Sequence, residues 1–545
     1  MVWRIDGFGG ENRALHPKLL PAGVGTVSLN QKPTRGDLRP WRAPSTVATV
    51  PVGRASIYRM GRDVASDANY WLSWPGTLNV VRGFDTAASG ERTYYTGDGG
   101  PKWTDTAKAL GGGAQPVAWR VLGLPAPASA PVLAAAGGTS ATIETRFYVY
   151  TYVSDIGEES APSPVSAAIN CKADATVTLS GLAAAPAGNY GINRIRVYRT
   201  QAGTDGSASF FFLREVASSS TSTTDDNRTL GEVCPTVDFL PAPGNPQGGA
   251  LNLTEDPLKC LTELWNGMLA GISGRGIRFC EPYIAYAWPL KYEIVPADVT
   301  PVALAAFGQT LVVVTNGRPV VVTGGTPDAM DEQPVDFLQA CVSQRSCVSL
   351  GSGVAWASPD GLAFLGSGGP RLLTARSMTR DDWQAINPSS IIGAMYEGCY
   401  FGFYTLGGQQ KGFMVDPSND TAIYWLDFGA DAVYVDDLQD AMYLLQGTSV
   451  KRWDAGAALT ATFRSKINQT QTTVPYGAAR VVADAFPVTF RLYGDGVLRH
   501  TETVASDAAF RLTSGYRASD WQVEIATSNP VQAVLVGKSV SDLKT

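Results

Sequence analysis

The strongest constraint on the fold is a motif that returns five times at nearly constant spacing. In each copy a small or polar turn leads into a short apolar strand, at residues 266–270, 308–312, 352–356, 397–401 and 439–443. Aligned on Met268, Leu311, Val354, Cys399 and Met442, the copies lie 43 to 45 residues apart. A second apolar strand follows the first, as at residues 319–323 and 361–365. That period belongs to β-propeller blades, small sheets that bury their faces only against neighbouring blades. Five blades are legible between about residues 250 and 458, and flanking sequence is free to supply a sixth.

Composition agrees with short strands and tight turns. The 545 residues exceed one hydrophobic core and call for several domains. Glycine (58) and proline (34) are abundant and charged residues make up only 17%. Glycine supplies positive φ and proline presets turn geometry. The expected class is all-β and multidomain: a propeller of about five or six blades with sandwich modules. Residues 1–125 read as an irregular N-terminal platform or assembly region. The Pro/Ala/Gly-rich stretch 124–138 (LPAPASAPVLAAAGG) reads as a linker. Residues 126–245 alternate like a β-sandwich and resemble fibronectin type III modules, notably in YVYTYVSDIGEESAPS. Residues 246–458 are assigned to the propeller. Residues 459–545 form a C-terminal β-sandwich, with the hairpin turn Gly494, Asp495, Gly496.

Net charge is −6 with a pI near 5.2, so the chain lacks the basic footprint of tight nucleic-acid binders. Seven dispersed cysteines (171, 234, 260, 280, 341, 347 and 399) fit reduced thiols better than a disulfide framework. The first residues show no basic-then-apolar leader, and no apolar run approaches about 18 residues, so neither secretion nor a membrane span is expected.

The motifs that carry chemistry read as structural. Only His16 and His500 are present, far apart in sequence, and both read as surface residues. Neither HExxH nor CxxC occurs, and no G-x-S-x-G elbow is present. Gly537, Lys538 and Ser539 imitate the end of a phosphate loop, but Gln532 stands where its first glycine belongs. Ser358, Pro359, Asp360 and Gly361 resemble a sialidase aspartate box once, and read as a tight turn. Three acidic pairs, Glu158 and Glu159, Asp381 and Asp382, Asp436 and Asp437, offer carboxylates for hydrolysis or calcium, yet read as exposed solubilising charge. Arg35, Gly36 and Asp37 match an integrin tripeptide by chance. Tyr70, Trp71 and Trp74 read as sheet core rather than a sugar platform. No catalytic, cofactor or metal residue is nominated, and no cofactor is expected.

Several stretches in one order resemble the tail nozzle proteins (tail tubular protein B) of short-tailed phages. They are LLPAGVGTVSLNQKPTRGDLRPWR, RTYYTGDGGPKWTD, TYVSDIGEESAPS with RVYRT, ASPDGLAFLGSGGPRLLT, and WQVEIATSNPVQAVLVGKSVSDLK. The resemblance spans nearly the whole chain. It implies a virion structural protein assembled in the host cytoplasm into a homohexameric ring below a head-to-tail adaptor. Such a ring contacts tail fibres or tip and needle proteins and passes double-stranded DNA transiently during ejection. The alternatives are a propeller adhesin that binds glycans and, behind it, a polysaccharide-degrading tail enzyme.

Overall fold

The computed structural model describes residues 2–61, 70–84, 90–202, 208–235 and 256–543. Among the described residues the fold is all-β apart from two short α-helices, Thr106–Ala109 and Arg380–Ala385, and a few 3₁₀ turns. Seven sheets follow one another round a ring. Blade 1 is the hairpin Ser56–Arg59 with Trp71–Trp74, and blade 2 holds the four strands from Asn79–Arg82 to Arg120–Val121. Blades 3 to 6 begin at Lys259–Glu263, Pro301–Phe307, Val348–Ser349 and Ile392–Tyr396, and blade 7 at Ala432–Asp436. The first strand of each blade from 2 to 7 neighbours the first strand of the next, counting across the insertion between 2 and 3, and blade 7 meets blade 1. Blades 1 and 2 are joined by the Ser56 hydroxyl, which donates to Gly76 O (2.8 Å) and accepts from Leu78 N (2.9 Å).

The five repeat positions fall where the period places them. Met268, Leu311, Val354, Cys399 and Met442 lie at or next to the start of the second strand of blades 3 to 7, and four of the five are fully buried. The expected five or six blades become seven because blades 1 and 2 come from the region read as a platform. The period misses them for a physical reason: among the described residues blade 1 shows two strands, and a whole sandwich is inserted between blades 2 and 3.

The N-terminal residues are therefore not a region apart. Strand β1 (Val2–Ile5) pairs antiparallel with the last strand of the chain, Val531–Gly537. Strand β2 (Gly25–Leu29) pairs with Ala461–Ser465 of the C-terminal sandwich, and Leu29 bridges in parallel to Trp425 on the outer strand of blade 6. The result is one ten-stranded sheet running from propeller to sandwich. Strand β3 (Ser45–Thr49) pairs with Ser449–Arg452 and completes blade 7, closing the ring with chain from its other end. Between β2 and β3, Trp41 is buried against Phe401 and Trp453, its ring 5.0 Å from that of Trp453.

The inserted module is a sandwich of three small sheets around Tyr148, Tyr150, Tyr152, Val177, Leu179, Ile195 and Val197. Its edge strand Tyr148–Ser154 is finished by a proline-broken segment with serine at every third position. Ser160, Ser163 and Ser166 each donate a backbone N–H to Tyr152, Tyr150 and Tyr148, and each hydroxyl accepts the N–H of the same tyrosine. The segment caps an open edge without being a strand. Part of the stretch read as a linker is itself a strand, Val132–Ala136, and the expected boundary near residue 245 lies outside the described residues.

Deleting the Trp41 side chain removes the main apolar contact of the N-terminal segment with blades 6 and 7. Trp41→Ala is expected to cost about 3–5 kcal/mol, read as a lower midpoint of urea unfolding, with the outer strands of blade 7 losing hydrogen-exchange protection first.

Candidate functional site

Three features of this architecture could carry function: the propeller axis, the joint with the inserted module, and the grooves between blades and modules. The axis is filled. The 3₁₀ turn Gln344–Ser346 of blade 5 projects into it beside a cavity of about 150 Å³ lined by first-strand residues of blades 1, 2, 6 and 7. Gln344 donates to Asn79 Oδ1 (3.3 Å) of blade 2 and to Cys260 Sγ (3.0 Å) of blade 3. Arg345 reaches the other way, donating to Ala55 O (2.8 Å) before blade 1 and Asp431 O (2.5 Å) before blade 7. Burial pulls the Arg345 pKa down, and Asp431 partly restores it. The turn is itself fixed by Ser346, whose carbonyl accepts from Tyr400 OH (2.9 Å) and whose hydroxyl accepts from Ala357 N (2.9 Å). One turn thus cross-links blades on opposite sides of the ring.

The acidic pairs divide. In the first turn of helix Arg380–Ala385, Asp381 is exposed as expected, whereas Asp382 is half-buried against the capping Thr379. Asp437 is exposed too, but Asp436 is buried and bonds the fully buried Arg59 at 3.2 Å, tying blade 7 to blade 1. The reading of Glu158 and Glu159 as exposed charge is overturned, since both are buried. Alternation in a strand would have sent one outward, but the two sit on a turn closed from opposite sides. Glu159 faces its own module, accepting from Thr151 Oγ1 (2.6 Å), Arg196 (2.8 Å) and the Tyr198 hydroxyl. Glu158 faces the propeller, 3.9 Å from Arg92 of blade 2, while Ile156 packs into a core shared with Tyr94, Trp103, Leu122 and Trp288. Neighbouring bonds complete the joint: Arg120 donates to Asn189 Oδ1 (2.6 Å) and pairs with Asp155 (3.4 Å).

The remaining motifs hold the fold. His16 is exposed as expected, whereas His500 is only partly exposed and accepts from Thr513 N (3.1 Å). Asp37 pairs with Arg39 at 2.9 Å and is largely covered, so the tripeptide is not presented. Ser358 and Gly361 close the turn between two blade 5 strands, and Asp360 accepts from Gln339 (2.8 Å) and Arg380 (2.7 Å), which hold its carboxyl below the usual range. Gly537 ends the last strand, paired with Val2. Trp71 and Trp74 are buried in sheet core. All seven cysteines are free thiols, five of them buried. Among the described residues, no helix is long and apolar enough to cross a membrane, and no cluster of three His, Cys, Asp or Glu side chains is placed to hold a metal ion.

Among the open grooves, two lie where strands of different blades or modules part. In one, of about 590 Å³ between blades 5 and 6, Arg371 donates to Pro417 O (2.8 Å), and Asp416 accepts from Ser418 N (2.8 Å) and Oγ (2.6 Å). The other, of about 390 Å³, lies at the joint of propeller and C-terminal sandwich. It exists because β2 and the outer strand of blade 6 touch only at Leu29 and Trp425 and then diverge, with Glu11 bridging the gap to Gly25 and Ile423. The Glu11 carboxylate is buried, accepts from Ser28 N (3.1 Å) and pairs with Arg13. Burial raises its pKa while Arg13 opposes the rise. The Arg13 guanidinium lies 4.6 Å over the Trp425 ring. Sequence reading missed this site because its groups come from residues 11–13, 26–29, 404–411 and 425–427, which only the strand crossing brings together.

No protein-family model matches the chain, and no curated protein matches it. Solved structures with some likeness include an exo-β-1,3-galactanase from Phanerochaete chrysosporium, 10% identical over 63% of this chain and 93% of that one, TM-score 0.23. PorZ, a surface component of the type-IX secretion system of Porphyromonas gingivalis, is 11% identical over 81% of this chain and 62% of its own, TM-score 0.27. The extracellular domain of a putative one-component system from B. thetaiotaomicron is 7% identical over 69% and 48%, TM-score 0.24. Likeness this slight bears on neither fold nor role.

The Glu158 joint gives a pH test. Burial raises the Glu158 pKa from the ordinary 4.5 to about 7, Arg92 opposing and Asp155 adding to the rise. The folded protein therefore holds a proton that the unfolded chain releases, a contribution fully present below about pH 4.5 and lost as pH rises through about 7. Glu158→Gln is expected to be more stable than the parent at pH 8, by at most about 3 kcal/mol, and equal to it near pH 4.5, measured by denaturant unfolding at both values.

Proposed function

We propose that this chain is a non-catalytic structural subunit of a short phage tail, the nozzle through which the genome leaves the particle. The observation that carries the reading is the stitching of the modules by the N-terminal segment. Propeller and C-terminal sandwich share one continuous sheet, and β1 and β3 close the two ends. A subunit of a load-bearing tube needs modules that cannot pivot, and hydrogen-bonded sheet continuity supplies that. The chain-long resemblance in RTYYTGDGGPKWTD, ASPDGLAFLGSGGPRLLT and the other stretches supports the same reading. So does the engagement of Glu159 and Asp436 in buried pairs with Arg196 and Arg59.

In this reading six copies form a ring under a head-to-tail adaptor, with fibres or tip proteins outside, in the tail of the virion. DNA passes between subunits and not along any propeller axis, because Gln344 and Arg345 fill each axis. A lumen with the acidic balance of the chain would not grip the duplex, whereas a basic wall would hold it by counterion release. Purified protein in negative stain is expected to form sixfold rings with a central hole. Monomers under all assembly conditions contradict the proposal.

A second reading, a propeller adhesin that binds glycans, is favoured by the groove at the propeller–sandwich joint, which presents aromatic and polar side chains together. A glycan array probed with the full chain tests it. Binding by monomers would favour this reading over the first.

A further inference from the structure

We propose that the groove at the joint of propeller and C-terminal sandwich is a binding subsite for a neutral sugar ring. The inference rests on the second reading above and names its site. Concave sites at module joints, with a few convergent polar groups over an apolar wall, are where small ligands bind. A volume of about 390 Å³ suits one or two sugar units.

The polar groups set this groove apart. In the larger groove between blades 5 and 6, Arg371 and Asp416 are engaged by the protein. At the propeller axis, Gln344 and Arg345 are too. Here Lys411 and Asp427 are exposed, and neither their side chains nor the Tyr404 hydroxyl has a hydrogen-bond or ion-pair partner among the described residues. Together they offer a three-proton donor, an acceptor-only carboxylate and a group that does both. Vicinal hydroxyls, each donor and acceptor at once, match that set.

Charge narrows the class. Glu11 and Asp427 are balanced by Arg13 and Lys411, so the lining carries no net formal charge and gives neither an anion nor a cation an advantage. The apolar floor is Tyr404 against Trp425, ring centroids 6.3 Å apart and edge to face; both rings are largely buried and Arg13 covers the indole face, so the floor offers ring edges and not an open stacking face. Glu11 and Arg13 act as positioning residues. Paired with each other, with Arg13 flat on Trp425, they hold the diverging strands apart and keep the indole in place.

The test is saturation-transfer NMR on the full chain with maltotriose, cellotriose and diacetylchitobiose, against digalacturonate as the anionic comparator. The neutral probes should receive transfer and digalacturonate much less. Lys411→Ala and Asp427→Ala, both exposed and tolerable to the fold, should each weaken binding roughly tenfold, while Arg371→Ala in the other groove should leave it unchanged. Neutral-sugar binding that both groove variants leave intact overturns the site and spares the glycan reading. Preference for digalacturonate overturns the neutral class. No transfer to any neutral probe, with a blank glycan array, overturns both site and reading.

Discussion

Hydrogen bonding at open sheet edges governs this structure. A chain of many small sheets exposes many edges, and each unpaired row of N–H and C=O groups is a template for the wrong partner. The first 49 residues answer this three times, each in a different place. Strand β1 covers the last strand of the C-terminal sandwich, β2 bridges that sandwich to blade 6, and β3 closes blade 7. Sealed with Trp41 between Phe401 and Trp453, the same segment fixes the modules in orientation as well as covering them. The inserted module uses a different device, the serine-studded segment from Ser160 to Ser166.

The other features follow from this stitching. Closing the ring brings seven first strands round one axis, and a turn as short as Gln344–Ser346 can then reach blades 1, 2, 3 and 7. Forcing β2 between blade 6 and the sandwich makes two strands touch once and separate, and the groove with Glu11, Arg13 and Trp425 is the space left over. Buried charge appears where modules or blades meet, as Arg59 with Asp436 and Glu158 near Arg92. For Arg59 with Asp436, loss of one partner is costly because the remaining charge stays buried.

Much of the fold was legible because blades are local. Met268, Leu311, Val354 and Met442 repeat since each blade meets its neighbour in the same way, and periodicity along the chain reports that directly. What stayed hidden depends on contacts between distant segments. Residues 1–49 looked irregular because their strands are single ribbons that pair with residues more than 400 positions away, as Val2 does with Gly537. Burial of Glu158 and Glu159 was invisible for the same reason: the groups that cover them are Arg196 and Tyr198 across the sandwich and Arg92 across the joint. The sugar-sized groove draws on four segments with no shared motif, whereas the local motifs, such as the turn at Ser358 and Gly361, proved to be the turns they resemble.

A tube subunit and a surface adhesin both need rigid display, so the stitched architecture is the claim on which either role depends. Hydrogen exchange followed by mass spectrometry measures it directly. Amides of Val2–Ile5, Gly25–Leu29 and Ser45–Thr49 should be protected as strongly as those of their partners Val531–Gly537, Ala461–Ser465 and Ser449–Arg452. N-terminal amides that exchange within seconds while their partners stay protected would show that the segment is not holding the modules together, and the account would fall.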